Sequence, residues 1–286
     1  MILVVGGTGS VGGRIVDEST SRGDEVRALA RSTSDTTALR ATGAEIVVGD
    51  LKDPSSLERA CDGIDVVITT ASATKTGDDT IENVDGQGNQ NLIAAARAAG
   101  VRHFIFVSTI GAAEDSEVAV FRAKGAAERR IMESGMTYTI LHANAFMDVW
   151  FASLIEMPIR SGMPVTLVGE SRRRHSFVTE RDVAAFAVAA VREPAGQDVI
   201  IDVGGPEALT FRDVVRAYEE ALGRPIEVRT IAPGEPIPGL PDIASVLAAG
   251  LEAFDSVMPM DATARRFGVE LTNARAFARG RFATSA

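Results

Sequence analysis

The sequence predicts a doubly wound α/β fold with a parallel sheet, followed by a small and irregular C-terminal part. Two observations carry this prediction. Short strands that are apolar throughout alternate with helical patterns over residues 1–110, and a glycine-rich loop stands directly between the first strand and the first helix. Strands of this kind are typical of parallel sheets that helices cover on both faces.

The elements follow in a regular order. The predicted strands of the sheet cover residues 2–5, 25–30, 45–49, 65–70, 103–107 and 137–141. The predicted helices cover residues 10–21, 83–99 and 117–134, with a further helix near Pro54. Leu92, Ile93 and Ala96 lie at helical spacing, and Ala99-Gly100 predicts the end of that helix.

After about residue 142 the alternation is lost. Thr179 with Asp182, and Thr210 with Asp213, have the spacing of capping boxes and predict helices that start after each threonine. The other predicted elements are helices over 145–159 and near 243–253, strands over 164–168 and 199–203, and a β-like segment over 226–231. We expect the strand over 199–203 to return to the main sheet.

Composition excludes several classes of protein. No uncharged apolar run reaches the ~18–20 residues that span a bilayer, and the formal charge of −10 argues against a general nucleic-acid partner. Cys61 is the only cysteine and cannot form an internal disulfide. The apolar start lacks the basic region of a signal peptide, so we expect a cytoplasmic protein without a membrane partner.

The loop Gly6–Gly12 is the strongest local signal. Its glycines permit a tight exit from the strand, close approach of a pyrophosphate and close packing of helix on strand, while the helix N-terminus attracts the anion. The alternative is a tight turn with no ligand. The cofactor-binding residues that this loop predicts are Gly6, Thr8, Gly9, Ser10, Val11 and Gly12.

Arg31 closes the second strand, where dinucleotide folds meet the adenosine ribose. An acidic residue there accepts from the 2′-hydroxyl, whereas an arginine suits a 2′-phosphate, so the expected cofactor is NADP(H). Asp50 and Leu51 close the third strand and are candidates for binding the adenine. An ordinary exposed arginine and a simple turn are the alternatives.

Several motifs together resemble one family. They are Gly6-Gly-Thr-Gly-x-x-Gly12, Gly49-Asp-Leu-x-Asp53, Asp85-x-x-Gly88-x-x-Asn91, Phe106-Val-Ser108, Ser134-Gly-Met-Thr-Tyr-Thr-Ile-Leu141 and Gly204-Gly-Pro-Glu207. Over residues 1–225 the chain is similar to NmrA-like atypical short-chain dehydrogenase/reductases. The resemblance implies NADP(H) binding, and the family contains quinone and dye reductases, isoflavone-reductase-like enzymes and redox-sensing regulators. We therefore expect a Rossmann domain over 1–142 and, over 143–286, a mainly substrate-binding subdomain with segments that return to the sheet.

Ligands of open parallel sheets lie outside the carboxyl ends of the strands. Thr70, Ala71 and Ser72 follow the fourth strand, Ser108 closes the fifth, and His142 and Asn144 close the sixth. We expect these residues around the nicotinamide, with Thr70, Ala71, Ser72 and Asn144 at the cofactor and Ser108 at the substrate. His142 is a candidate proton donor, and a hydrogen-bonded histidine at a strand end is the alternative.

Lys124 is one of only three lysines. The resemblance implies that it binds the nicotinamide ribose and takes part in catalysis, whereas a solvated helix lysine is the alternative. Short-chain reductases place a tyrosine four residues before this lysine, but Val120 stands there. That departure disfavours an ordinary ketone reductase and a nucleotide-sugar epimerase or dehydratase.

An aromatic stretch follows the sixth strand. Phe146, Met147, Trp150 and Phe151 are candidates for binding a flat substrate, and a core-facing helix stripe with the same spacing is the alternative. No cluster has metal-ligand spacing, so hydride transfer without a metal is expected.

We thus expect a reductase that passes hydride from NADPH to a flat, apolar acceptor such as a quinone. A non-catalytic NAD(P) sensor is the alternative. A small-molecule substrate is expected, and a homodimer is compatible with this interpretation.

Overall fold

The computed structural model describes residues 1–73, 79–193 and 196–282. Two compact units divide the chain. The first comprises Met1–Ala143, Val183–Asp202 and Arg266–Val269, and the second comprises Asn144–Asp182, Val203–Arg265 and Glu270–Ala286. Within the described residues, no helix is long and apolar enough to cross a bilayer.

A seven-stranded sheet forms the centre of the first unit, in the order β3-β2-β1-β4-β5-β6-β8. The pairings from β3 through β6 are parallel. The fold class predicted from the sequence is therefore confirmed. The strands are β1 Ile2–Val5, β2 Val26–Ala30, β3 Glu45–Val48, β4 Val66–Thr69, β5 His103–Thr109, β6 Thr137–Ala143 and β8 Val199–Val203.

Helices connect these strands, since parallel neighbours need crossovers. They are α1 Ser10–Ser21, α2 Thr37–Ala41, α3 Pro54–Cys61, α4 Gln87–Ala98, α5 Ala119–Met132 and α8 Glu180–Ala190. A π-helical turn over Ile81–Gly86 precedes α4, and a capping box between Thr80 and Asn83 fixes its start. The core contains Leu3, Leu57, Phe104 and Ile140, all buried.

In the second unit, β7 (Val165–Val168) and β9 (Val228–Ile231) form a two-stranded parallel sheet. The helices are α6 Met147–Phe151, α7 Met157–Arg160, α9 Phe211–Leu222, α10 Asp242–Leu251, α11 Asp261–Phe267 and α12 Ala274–Phe282. Thr210 and Asp213 form the predicted capping box of α9. A buried aromatic cluster that includes Phe151, Phe177 and Tyr218 organises the core.

Two predictions about this unit were wrong. The continuous helix expected over 145–159 is interrupted by a π-helical turn, Ala152–Glu156. Pro158 lacks the amide that would continue the α-helical hydrogen bonds, and a local π-turn accommodates this. The helix near 243–253 is also not the last, because α11 and α12 follow it.

Candidate cofactor and active site

The glycine loop joins β1 to α1 in a conformation that requires glycine. Gly6 has φ +87°, and the Gly9 amide donates to the Gly6 carbonyl at 2.9 Å. A Cβ on Gly12 would lie 2.2 Å from that same oxygen, so no side chain fits between loop and helix. α1 begins at Ser10, and its N-terminus directs backbone amides and a positive dipole end towards the loop.

The end of β4 lies beside this loop. The Thr70 amide donates to the Val5 carbonyl at 3.0 Å, and a Cβ on Gly6 would lie 2.6 Å from the Thr70 Oγ1 and 3.1 Å from the Ala71 amide. β1 and β4 are adjacent, and the strand order reverses between them, which is where such sheets bind dinucleotides. Gly6, Gly9 and Gly12 present backbone without side chains at this point, which fits a pyrophosphate. The structure thus brings Thr70 and Ala71 to the loop; Ser72 follows, and its Oγ has no hydrogen-bond partner within the described residues.

A pocket of about 560 Å³ lies at the ends of β2 and β3. Arg31 and Asp50, both predicted from the sequence, line it together with Lys52 and Asp79. Asp79 pairs with Arg31 and, at 2.5 Å, with Lys52. Leu51 packs instead in the core, and its carbonyl accepts from the Asn91 side chain. The pocket suits the adenosine end of a dinucleotide.

Lys124 is buried on α5, only 8% exposed, which excludes the solvated helix lysine. Its Nζ donates to the Val107 carbonyl at 3.1 Å and lies 4.9 Å from the centre of the Phe106 ring. Burial lowers the pKa of Lys124, while the charges of Asp85 and Glu128 oppose that shift. Asp85 is itself buried; one of its carboxylate oxygens accepts from the Ala73 amide at 2.9 Å, and the other has no partner within the described residues.

A hydrogen-bonded chain connects β5, α5 and β6. Ser108 and His142 are paired residues of β5 and β6 near their carboxyl ends. The Ser108 hydroxyl donates to Glu128 Oε1, and His142 Nε2 lies 3.1 Å from that same oxygen. His142 Nδ1 lies 3.5 Å from Asp202, whose side chain is 64% exposed. These hydrogen-bonded side chains therefore connect the buried Ser108 with solvent.

His142 is placed between two carboxylates. Burial disfavours its charged form, but the hydrogen bond and charge of Glu128, with a further contribution from Asp202, outweigh burial and raise the pKa of His142. The imidazole therefore holds a proton at higher pH than an isolated histidine does. Such a group can take a proton from solvent and pass it inward.

The remaining predicted residues lie in the second unit. Met147 and Phe151 are fully buried in its core, so the alternative of a core-facing stripe holds for these two side chains. Trp150 is half-buried and packs edge-on against Phe211. Phe146, also half-buried, forms a β-bridge with Val178. The buried Asn144 side chain donates to the Ser256 carbonyl at 2.9 Å and accepts from the Ser256 hydroxyl at 3.0 Å.

Sequence reasoning missed Lys52, Asp79, Glu128 and Asp202. Glu128 follows Lys124 by one helical turn on the buried stripe that includes Ala127 and Ile131, and that spacing was a usable signal. Asp79 and Asp202 reach their partners through tertiary contacts, for which sequence spacing offers no signal. Within the described residues, no three potential metal ligands come together.

Known proteins match this chain both in sequence and in fold. A family model described as NAD(P)H-binding matches residues 6–194. The NAD(P)H azoreductase of Xenophilus azovorans is 35% identical over 228 residues, which are 79% of this chain and 75% of the relative. A photosystem II assembly factor, Ycf39 of Synechocystis, is 33% identical over 222 residues, 78% of this chain and 68% of the relative.

Solved structures show the same fold. The NADPH-dependent quinone oxidoreductase QOR2 of Escherichia coli, in a crystal structure with NADPH, superposes with a TM-score of 0.83 at 20% identity. The superposition covers 99% of this chain and all of the other chain. At 20% identity, this match shows a shared fold and nothing further.

Proposed function

This chain belongs to the NAD(P)H-binding family of NmrA-like reductases, and from that premise we propose that it transfers hydride from NADPH to a flat, apolar, conjugated acceptor such as a quinone. The main support for this proposal is the hydrogen-bonded series from Ser108 through Glu128 to His142. A protein that only binds a dinucleotide has no need of a buried proton path at the carboxyl ends of β5 and β6. The similar azoreductase is itself an NAD(P)H-dependent reductase.

The residues have separate tasks in this proposal. The loop Gly6–Gly12 binds the pyrophosphate through backbone amides, and Arg31 binds the 2′-phosphate. The Lys124 ammonium donates one hydrogen bond to the Val107 carbonyl, and its other two N–H groups are available to donate to the nicotinamide ribose. When bound, the reduced nicotinamide supplies the hydride.

Proton supply is the task of the buried chain. A quinone that accepts a hydride becomes a hydroquinone anion and needs one proton. Ser108 is buried and passes that proton towards the reacting side of the sheet, Glu128 holds it between serine and histidine, and His142 replaces it from solvent beside Asp202. Because this path can serve the acceptor, the tyrosine that Val120 replaces is not required.

The pH dependence of turnover tests this path. We expect kcat for a benzoquinone or naphthoquinone to fall as pH rises through the raised pKa of His142, because only the protonated imidazole delivers a proton. His142→Asn removes that limb of the profile and lowers kcat by about tenfold or more, with KM for NADPH unchanged. Lys124→Met raises KM for NADPH and lowers kcat.

His103→Asn is the matched control. His103 begins β5 at the opposite end of the strand, and burial lowers its pKa. The His103 variant keeps the wild-type shape of the pH profile. An unchanged profile in His142→Asn contradicts the proton path.

A second function deserves a test because one relative is an assembly factor. The Ycf39 relative and the missing tyrosine at Val120 both fit a dinucleotide-binding protein that reduces nothing. The discriminating measurement follows NADPH absorbance with quinones, enones and azo dyes. Tight NADPH binding together with no oxidation by any of these acceptors favours this second function over the reductase.

A further inference from the structure

The adenosine pocket contains a carboxylate, Asp79, that pairs with two of its cations. Asp79 pairs with Arg31 through one oxygen and with Lys52 through the other, at 2.5 Å. Asp79 is 15% exposed, whereas Arg31 is 51% exposed and Lys52 37%, so a ligand can reach both cations from solvent. The hydrogen bond from Lys52 lowers the pKa of Asp79, and the same contact raises the pKa of Lys52, so both groups are charged at neutral pH.

The charges of the pocket balance without a ligand. Its described lining has three cationic side chains and three carboxylates, namely Arg31, Lys52, Arg59, Asp50, Asp53 and Asp79. A 2′-phosphate brings a further charge of about −1.5 to −2. Because Asp79 already pairs with Arg31 and Lys52, a phosphate at these cations meets a like charge unless the carboxylate leaves.

We propose that Arg31 and Lys52 together form the 2′-phosphate site and that Asp79 is an internal competitor which the phosphate displaces. This inference rests on the proposed use of NADPH and adds two residues to it. Lys52 is a second phosphate ligand, and Asp79 weakens binding of phosphorylated cofactor while leaving the unphosphorylated one unaffected. The capping box of Thr80 and Asn83 directly follows Asp79 and holds the backbone beside it, which positions the competing carboxylate.

Binding of two adenosine probes tests the inference without any turnover. The probes are 2′,5′-ADP, which carries the 2′-phosphate, and 5′-AMP, which is the same molecule without it; calorimetry measures Kd for each. Asp79→Asn is expected to tighten 2′,5′-ADP by about five- to twentyfold, since two partly exposed ion pairs no longer compete. Lys52→Met is expected to weaken the same probe by about fivefold. Neither variant changes Kd for 5′-AMP.

Asp53→Asn is the matched control. Asp53 lines the same pocket and loses the same charge, and asparagine keeps the N-cap that Asp53 provides to α3 through the Ser55 amide. The control shifts both probes by less than about twofold. In the Lys52→Met background, Asp79→Asn tightens binding of 2′,5′-ADP by a smaller factor than it does in the wild-type background.

Two outcomes overturn the inference. In the first, Asp79→Asn leaves the ratio of the two dissociation constants unchanged. In the second, it weakens binding of 5′-AMP, which shows that Asp79 accepts a hydrogen bond from an unphosphorylated ribose. Both readouts are independent of acceptor reduction, so a failed reductase assay and a failed competitor test are distinguishable.

Discussion

The substitution Gly12→Ala places a Cβ too close to the backbone of the phosphate loop, and the structure gives the distances. The new Cβ would lie 2.2 Å from the Gly6 carbonyl oxygen and 2.6 Å from its carbon. Carbon and carbonyl oxygen approach to about 3.3 Å, so loop and helix must separate by about 1 Å. Crowding of this kind costs about 1–3 kcal/mol, and alanine regains about 1 kcal/mol of helix propensity. The free energy of unfolding therefore falls by about 0–2 kcal/mol.

Cofactor affinity is expected to fall further than stability. Displacing the N-terminus of α1 removes about one amide hydrogen bond to the pyrophosphate, worth about 1.5–3 kcal/mol for a charged acceptor. The Kd for NADPH then rises by about 10- to 150-fold. Fluorescence titration with NADPH measures this rise, and urea denaturation followed by circular dichroism measures stability.

Two further variants make the test decisive. Gly280→Ala is the same exchange in α12, where no described atom beyond the adjoining residues and the helix's own backbone lies within 4 Å of the new Cβ, and its NADPH affinity stays at the wild-type value. Gly9→Ala crowds the loop less, since its Cβ would lie 3.2 Å from the Gly6 oxygen, and it replaces Gly12→Ala if that variant does not fold. A folded Gly12→Ala protein with wild-type affinity refutes the reasoning.

Two predictions concern buried groups outside the site. Tyr218→Phe removes a hydroxyl that donates to the buried Glu156 carboxylate at 2.6 Å, so chemical denaturation should show that the free energy of unfolding falls by about 1.5–3 kcal/mol. The control Tyr138→Phe, at a half-buried tyrosine, changes the free energy of unfolding by less than about 0.5 kcal/mol. Equal losses in the two variants contradict a stabilising role for the bond between Tyr218 and Glu156. Burial raises the pKa of the Cys61 thiol to about 11, so an aromatic disulfide reagent at about pH 8 should label it only after unfolding. Rapid labelling of native protein shows instead that Cys61 is accessible.

The central sheet was predictable because its signal is local. β1, β4 and β5 each contain a run of at least three apolar residues, and the crossovers that form α1, α4 and α5 have helical spacing, so the sheet could be located from the sequence. The short α2 between β2 and β3 was not predicted. Gly6 and Gly12 were predictable for a similar reason, since the loop stands between strand and helix. Even the neighbourhood of Ser108 and His142 follows from the sheet, because parallel strands place their carboxyl ends at one edge.

The second unit was harder to predict because tertiary contacts override local pattern there. Met147 and Phe151 have the spacing of both a pocket and a core stripe, and only the packing of the surrounding aromatic residues decides between them. α12 is rich in arginine and contains Gly280, which hides its helical pattern. The sequence does contain a signal for the start of α12, namely Asn273, whose side chain accepts from the Ala276 amide as a capping asparagine does.

The order of strands in the sheet has a consequence for synthesis of the chain. β8 covers the edge of β6, yet Val203 follows Ala143 by 60 residues. A ribosome that adds about 5–20 residues per second needs about 3–12 s for that stretch. During this interval β6 presents unpaired amides and carbonyls, including the Tyr138 amide that later binds the Asp198 carboxylate. Any fragment that ends before residue 199 keeps this edge open to pairing with another chain.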